Sequence, residues 1–210
     1  MSLRHALLAL LTARPMTGYD LAKQFDQSVA YVWHAPHSQI YPELRRLEAS
    51  GLVSAESVAR GNRATKRTYR ITEEGRAELE RWVKEVTPPP LERDAARLKA
   101  TYFEFGSLDN ARRQFRAHLA HYERRRIQWE AHVAELENRA TALLRRRLAE
   151  APEHLHDAIV AYKVHVYRGL VEHARLEVEW ARRGLDLVGE LADKLDAAAP
   201  TPRSTRSRSR

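Results

Sequence analysis

A run of positive charge is the first feature of this sequence that could do chemistry. Residues 57–71 hold five basic side chains and no acidic one: Arg60, Arg63, Lys66, Arg67 and Arg70. Outside this run, the first 87 residues carry eight basic and ten acidic side chains. The charge is therefore local, which indicates contact with a polyanion. Charge alone leaves one alternative open, a solvated surface loop.

Catalytic and metal sites lack their residues in this sequence. The chain has no cysteine, which excludes a thiol nucleophile, a thiolate metal site and a disulfide framework. His118 and His121 have a spacing that could place two metal ligands on one helix face, but no third ligand accompanies them. Glycine-rich phosphate loops and the G-x-S-x-G nucleophile motif are absent as well. We therefore expect no enzyme, no metal and no cofactor.

Helical spacing of apolar residues predicts three helices before the basic run. Pro15 ends the first helix, and Thr17 begins the second, where Thr17 and Asp20 have the spacing of a capping box. The third helix covers about residues 38–50 and ends at a left-handed Gly51. Its apolar face consists of Ile40, Leu44 and Leu47.

A hairpin and a fourth helix follow the three helices. Residues 52–58 and 67–72 are predicted strands around a turn at Gly61 and Asn62. Thr72 caps the next helix, whose apolar residues we expect to face inward: Leu79, Trp82, Val83 and Val86. Three helices followed by a hairpin form the winged helix-turn-helix.

In a winged helix, the third helix can enter the major groove while the hairpin reaches neighbouring phosphates. The third helix therefore offers candidate contacts to base edges or the DNA backbone: His37, Ser38, Gln39, Tyr41 and Arg45. Gln39 suits adenine and Arg45 suits guanine by bidentate geometry. The candidate phosphate contacts on the hairpin are Arg63, Lys66 and Arg67. The expected partner is a double-stranded DNA operator.

The same residues resemble the PadR-type transcriptional regulators. The similarity lies in TGYDL at 17–21, HSQIYPELRRLE at 37–48 followed by GLV at 51–53, and YRITEEG at 69–75. It covers about residues 3–86, while the second half resembles the helical C-terminal domain of the longer members in pattern only. The resemblance implies a homodimeric repressor that a small aromatic or drug-like molecule releases from its operator.

Pro88 to Pro90 divide the chain, because proline neither continues a helix nor favours helical geometry in its predecessor. Beyond them, helices are predicted over residues 91–105, from 107 through Arg147, from 152 to 183 with Gly184 as a cap, and over 185–195. Apolar residues recur every seven positions in the second of these: Leu108, Phe115, Tyr122, Trp129, Leu136 and Leu143. The apolar face of the third consists of Ile159, Tyr162, Val166, Leu170, Ala174 and Ala181.

Such stripes need a partner, since burying one large apolar side chain is worth about 1.5–3 kcal/mol. A neighbouring helix and a second copy of the chain could both supply it, and a closed intramolecular bundle is the alternative. We expect a mostly α protein with a winged helix-turn-helix domain over 1–87 and a proline linker over 88–90. A long-helix dimerisation and possible effector domain follows over 91–199, and then a disordered basic tail over 200–210.

Five aromatic residues of the second half are candidates for an effector pocket: Tyr122, Trp129, Tyr162, Tyr167 and Trp180. Aromatic residues at helical spacing also form ordinary core, and the sequence does not decide between the two.

Composition and targeting signals narrow the class of protein. The chain has 210 residues, of which 43% are hydrophobic and 30% are charged, with a net charge of +8. Its longest apolar run, residues 6–11, is far shorter than the roughly 20 residues of a membrane span. That run is also short for a signal peptide, and Arg14 and Pro15 stand where a cleavage site should be. We therefore expect a cytoplasmic protein without membrane contact.

Two classes of function remain. The first is a ligand-responsive, dimeric, sequence-specific transcriptional repressor. The second is a winged-helix module for protein–protein contact, or a constitutive architectural DNA binder without an effector. Five cations without an acid on the hairpin favour the first class.

Overall fold

A computed structural model describes residues 3–29, 32, 35–60, 64–88 and 93–198, apart from the side chains of residues 58–60, 64–66, 196 and 198. The chain forms two compact units. The first consists of residues 1–90 and 138–161, and the second of residues 91–137 and 162–210. Predictions for Arg63, for the turn at Gly61 and Asn62, for most of the proline linker and for the tail over 200–210 lie outside the described residues.

The first half of the chain alternates short helices and strands. Its elements are α1 (Leu3–Leu11), β1 (Met16–Thr17), α2 (Gly18–Gln27), α3 (His37–Ala49), β2 (Val53–Arg60), β3 (Ala64–Ile71) and α4 (Glu73–Lys84). The second half is helical. Its elements are α5 (Ala95–Ala100), a 3-10 turn (Phe103–Phe105), α6 (Leu108–Glu137), α7 (Ala142–Ala149), a 3-10 turn (Glu153–Leu155) and α8 (His156–Ala198). The winged-helix fold and the long helices of the second half are confirmed.

Local signals place the helix ends of the winged helix as predicted. The Thr17 hydroxyl accepts a hydrogen bond from the Asp20 backbone N–H at 3.1 Å and begins α2. Thr72 accepts one from the Gly75 backbone N–H at 3.0 Å and begins α4. Gly51 follows α3 with a φ of 72°, a left-handed conformation that favours glycine. The two threonine caps and the glycine terminator are confirmed.

The hairpin is longer than predicted and carries a third strand. β2 and β3 pair antiparallel from Val53 opposite Ile71 to Arg60 opposite Ala64. β1, which is only two residues long, pairs with the other edge of β3, so the strand order is β1-β3-β2. One apolar core packs the three helices against this sheet. Its fully buried side chains include Leu7, Leu8, Met16, Leu21, Phe25, Ile40, Leu44, Leu47 and Val53.

Fewer apolar side chains of α4 are buried than the sequence predicts. Trp82 stacks on the His5 ring of α1, with the centroids 4.7 Å apart and an angle of 5° between the rings. Val83 and Val86 are 71% and 95% exposed, so the prediction that they face inward is wrong. Val86 lies beyond the end of α4, and the helix covers α1 with one narrow face.

The long helix predicted through Arg147 is interrupted. Arg139 adopts a left-handed φ of 51°, and the Thr141 hydroxyl accepts a hydrogen bond from the Leu144 backbone N–H at 3.2 Å to begin α7. The prediction of one helix is therefore wrong, because a threonine cap competes with helix continuation. The whole segment of residues 138–161 belongs to the first compact unit.

The last helix, α8, is longer than predicted, because it runs for 43 residues and continues through Gly184. A β-carbon at Gly184 would lie 2.4 Å from Cε1 of Phe115 in α6. The glycine therefore permits a close approach between α8 and α6. The predicted cap at Gly184 and the separate helix over 185–195 are wrong.

α5 is shorter than its predicted helix. The Asp94 carboxylate accepts a hydrogen bond from the Arg97 backbone N–H at 2.8 Å and begins α5. Leu98 and Tyr102, predicted on its apolar face, are 65% and 56% exposed.

α8 has two apolar faces, and the chain itself buries one of them. That face consists of Val164, Tyr167, Val171, Ala174, Val178, Ala181 and Val188. The predicted stripe is correct at Ala174 and Ala181, which are fully buried, and wrong at Tyr162 and Val166, which are 75% and 45% exposed. The helix thus presents a second apolar surface to solvent.

Candidate nucleic-acid interface

The apolar face of α3 determines which of its polar residues are available. Ile40, Leu44 and Leu47 are fully buried in the core of the first unit. Because α3 is anchored on this side, Ser38, Gln39 and Arg45 are exposed. These three side chains have no hydrogen-bond or ion-pair partner among the described residues. The helix therefore offers an amide, a hydroxyl and a guanidinium to a ligand.

The ring of Tyr41 packs directly on α2. A β-carbon at Gly18 would lie 2.6 Å from Cε1 of Tyr41, so the first residue of α2 has to be small for this contact. Tyr41 remains 44% exposed. The ring is thus positioned by the fold while part of it stays accessible beside the outer face of α3.

Three polar side-chain contacts hold the flanks of α3. His37 Nε2 lies 2.7 Å from a carboxylate oxygen of Asp26 in α2, and both side chains are more than half exposed. Arg46 donates a hydrogen bond to Glu43 at 3.1 Å, and Glu43 also lies 4.0 Å from Arg4 of α1. These pairs connect the predicted recognition helix to both preceding helices.

Ser38 and Gln39 open onto a groove between α1 and α3. The groove has a volume of about 670 Å³ and is lined by Leu3, Arg4, Ser38, Gln39, Pro42, Glu43 and Arg46. Its walls carry two arginines and one glutamate, so the groove is polar on the side where the predicted base readers lie.

Arg67 pairs with α3 instead of standing free on the hairpin. It lies on the same face of the sheet as Tyr69, because alternate strand residues share a face, and its guanidinium is 5.9 Å from the centre of the Tyr69 ring. An Nη2–H of Arg67 donates a hydrogen bond to Oε1 of Glu48 in α3. Lys66 lies in β3 opposite Val58, and its side chain is outside the described residues.

Two residues that bear on this surface were missed as sites. Arg70 lies in β3 opposite Ser54, is exposed, and has no ion-pair partner among the described residues. Glu48 places a carboxylate between α3 and the hairpin. Arg70 could have been found from the alternation of strand residues, which places Arg70 and Arg67 on opposite faces of the sheet. Glu48 could be found only from the tertiary contact.

Two of the five candidate effector residues, Tyr122 and Trp180, meet at one histidine in the second unit. The His118 ring lies 4.6 Å from the Tyr122 ring and 4.9 Å from the Trp180 ring. Burial, followed by the charge of Glu177, raises the pKa of Tyr122. Of the other three, Trp129 is buried in α6 beneath Arg125, Tyr167 is buried in α8 against the His132 ring, and Tyr162 is exposed.

A buried carboxylate lies beside this aromatic pair and was not predicted. Glu177 in α8 is 2% exposed and accepts a hydrogen bond from Arg97 at 3.0 Å, while His118 Nε2 lies 2.9 Å from its other oxygen. The Arg97 guanidinium also covers the Trp180 ring at 4.8 Å. A partnered buried charge of this kind fixes three helices relative to one another within the second unit.

The described residues contain no group of three or more His, Asp or Glu side chains that could hold a metal ion. No helix among them is long and apolar enough to cross a membrane.

Comparison with known proteins finds a family match in the first half of the chain. The Transcriptional regulator PadR-like family matches residues 7–81. A probable transcriptional regulator of Mycobacterium tuberculosis is 44% identical over 89 residues, which are 42% of this chain and 47% of that protein. The negative transcriptional regulator PadR of Bacillus subtilis is 33% identical over 118 residues, which are 56% of this chain and 65% of that protein. The chain thus spans about half to two thirds of the length of these relatives.

Solved structures extend the similarity to the second half of the chain. The crystal structure of Bacillus subtilis PadR in complex with operator DNA has a TM-score of 0.68 and 26% identity, and the match covers 89% of this chain and 98% of that one. The structure of PadR in complex with p-coumaric acid has a TM-score of 0.61 and 24% identity, covers 89% and 95% of the two chains, and shows the same fold. Residues 7–81 of this chain therefore match the PadR-like family of transcriptional regulators, and the similarity to the PadR structure covers most of the chain.

Proposed function

We propose that this protein is a homodimeric, sequence-specific DNA-binding repressor of the cytoplasm, released from its operator by a small aromatic effector. The observation that carries the proposal is the free polar face of α3, with Ser38, Gln39 and Arg45 exposed opposite a fully buried apolar stripe. A helix with this division fits the major groove of B-DNA, where amide and guanidinium groups distinguish bases.

Each candidate residue receives a role by its chemistry. Gln39 and Arg45 read base edges, whereas Ser38 contacts a base or the backbone beside them. His37 and Tyr41, held by Asp26 and Gly18 respectively, position α3 on the duplex. The hairpin residues Arg63, Lys66 and Arg67 contact phosphates, which fix position without reading sequence.

A second copy of the chain is the proposed partner of the exposed apolar surface in the second unit. In the region of α5, Leu98, Tyr102 and Phe105 are 65%, 56% and 86% exposed. The exposed apolar side chains of α8 are Tyr162, Val166, Leu176, Leu187, Leu191 and Leu195. Monomeric proteins rarely leave so many large apolar residues uncovered along one helix. A two-fold dimer would cover them and present two recognition helices to a palindromic site.

The effector is proposed as a small aromatic molecule. Support comes from Bacillus subtilis PadR, which has been solved in complex with p-coumaric acid, an aromatic carboxylic acid. The candidate lining in this chain is centred on Tyr122 and Trp180, whose rings meet at His118. Of the other candidates, Trp129 and Tyr167 are buried in α6 and α8, and Tyr162 lies on the exposed apolar surface. The Nε1–H of Trp129 is buried without a hydrogen-bond partner among the described residues, so an acceptor from a ligand would satisfy it.

Selection of bound DNA from a random duplex library tests this function. We expect a pseudo-palindrome whose half-sites lie about one helical turn, roughly 34 Å, apart or a multiple of it. Gln39→Ala should then relax the preference at one base position by about 1–3 kcal/mol and leave the salt dependence of binding nearly unchanged, because the amide carries no charge. Enrichment of no sequence would contradict specific recognition. A selected site without two-fold symmetry would contradict the dimer.

A further inference from the structure

The ion pair between Glu48 and Arg67 joins the two elements that the proposed function places on DNA. Glu48 lies in the last turns of α3, and Arg67 lies in β3. Their side chains are 28% and 50% exposed, so an incoming anion can reach the guanidinium. The pair is therefore an accessible contact, unlike the buried pairs that hold the second unit together.

The other arginines of α3 and β3 differ from Arg67. Arg46 pairs with Glu43, whose side chain is only 15% exposed and also approaches an arginine of α1, so this pair secures α3 on the core. Arg45 and Arg70 are exposed and have no ion-pair partner within the described part of the chain. Arg67 combines exposure with a carboxylate from the neighbouring element, which cancels its charge in the free protein.

We propose that Glu48 is an internal competitor of the DNA phosphate for Arg67, and that it thereby limits the affinity of the protein for duplexes of any sequence. This inference rests on the proposed function. Carboxylate and phosphate are both anions that accept the planar donors of a guanidinium. Arg67 makes one hydrogen bond to Glu48, so a phosphate can reach its other donors, but the Glu48 carboxylate already offsets part of the charge that attracts the phosphate and itself faces the polyanion. Both effects weaken binding without affecting which bases are read.

A double-mutant cycle separates competition from simple charge repulsion. The variants are Glu48→Gln, Arg67→Gln and the combination of both. Glu73→Gln is the matched control, because Glu73 belongs to α4 and not to α3 or a hairpin strand, is 91% exposed, and lies 3.8 Å from an arginine of its own helix. The probe is a fluorescently labelled duplex of mixed sequence about three helical turns, or roughly 30 base pairs, long. Binding of the full chain is followed by fluorescence anisotropy at several salt concentrations, and thermal unfolding verifies that each variant is folded.

Glu48→Gln should tighten binding about two- to fivefold, the range expected for an exposed ion pair. The gain should be smaller when Arg67 is already glutamine, because only the repulsion between Glu48 and DNA is then relieved, and Glu73→Gln should have a smaller effect than Glu48→Gln. An equal gain in the wild-type chain and in Arg67→Gln would contradict competition and would indicate direct repulsion between Glu48 and DNA. Weaker binding of Glu48→Gln would mean that the pair positions the hairpin, and unchanged binding would mean that Arg67 does not meet phosphate. If the wild-type protein bound no duplex at all, the proposed function itself would fail.

Discussion

Gly184→Ala tests how closely α6 and α8 approach in the second unit. The new β-carbon would lie 2.4, 2.5 and 2.6 Å from three atoms of the Phe115 ring, whereas nonbonded carbon atoms prefer about 3.5–4.0 Å. The ring therefore has to move by about 1 Å. It has little room, because the rings of Phe103 and Trp180 lie 5.4 Å and 5.3 Å away and Phe115 is only 6% exposed.

Two opposing effects determine the free energy of unfolding. Alanine is a better helix former than glycine by about 1 kcal/mol, which favours the variant. Overpacking of a filled core costs about 1–3 kcal/mol, and the confined ring places this site in the upper part of that range. We expect Gly184→Ala to be destabilised by about 1–2 kcal/mol. Gly189→Ala in the same helix should instead be stabilised by up to about 1 kcal/mol, since nothing lies within 4 Å of a β-carbon there.

Urea denaturation of the full chain measures both variants, at one protomer concentration because a dimer would make the midpoint concentration-dependent. Phe115→Leu provides the second test. It removes part of the ring that obstructs the alanine, so the combination Phe115→Leu with Gly184→Ala should cost less than the sum of the two single changes. If Gly184→Ala were as stable as Gly189→Ala, α8 would not approach Phe115 as closely as the structure shows.

Two further predictions concern assembly and pH. Sedimentation equilibrium of the full chain should give twice the chain mass, and Leu187→Asp, at a side chain 52% exposed, should shift the protein toward monomer. The control Val83→Asp, at a side chain 71% exposed in the first unit, should leave the mass unchanged. A dimer unaffected by Leu187→Asp would contradict the assigned surface. Stability should fall toward acid pH, because hydrogen bonding to Arg175 lowers the pKa of Glu130 and burial lowers the pKa of His121. Both groups favour the deprotonated form in the folded state, so the His121 contribution is lost as pH falls below the ordinary histidine value of about 6.5, and the Glu130 contribution below the ordinary value of about 4.3. Urea midpoints that stay constant from neutral pH to about pH 5 would contradict the His121 assignment, and midpoints that stay constant from there to about pH 3 would contradict the Glu130 assignment.

Features whose partners lie within a few residues were predictable from the sequence. The caps at Thr17 and Thr72 each join a hydroxyl to a backbone N–H three residues later. The left-handed residue after α3 requires only a glycine at that position, which Gly51 supplies. The stripe that anchors α3 follows from helical periodicity alone. The placement of the candidate base readers on the free side of α3 could therefore be predicted.

Features that depend on a distant partner could not be predicted in this way. β1 has two residues and exists as a strand because β3 offers it an edge. α8 has two apolar faces, and periodicity does not say which of them the chain buries and which it leaves exposed. Gly184 looks like a helix terminator until the ring of Phe115, which lies 69 positions earlier in the sequence, is placed against it. In each case the deciding atom lies on another element.

The net charge of the hairpin also depends on a residue that is distant in the sequence. Residues 57–71 contain no acidic side chain, yet Arg67 is neutralised by Glu48, which lies 19 residues earlier in the chain. A hairpin that docks on a protein could also carry a neutralised arginine, so the count of basic residues distinguishes DNA binding from protein binding less sharply than it first indicates. The free face of α3 distinguishes them better. Gln39 and Arg45 are exposed and have no partner among the described residues, and an unpaired amide and guanidinium on the exposed part of one helix match the hydrogen-bonding groups of the major groove more closely than they match an apolar protein surface.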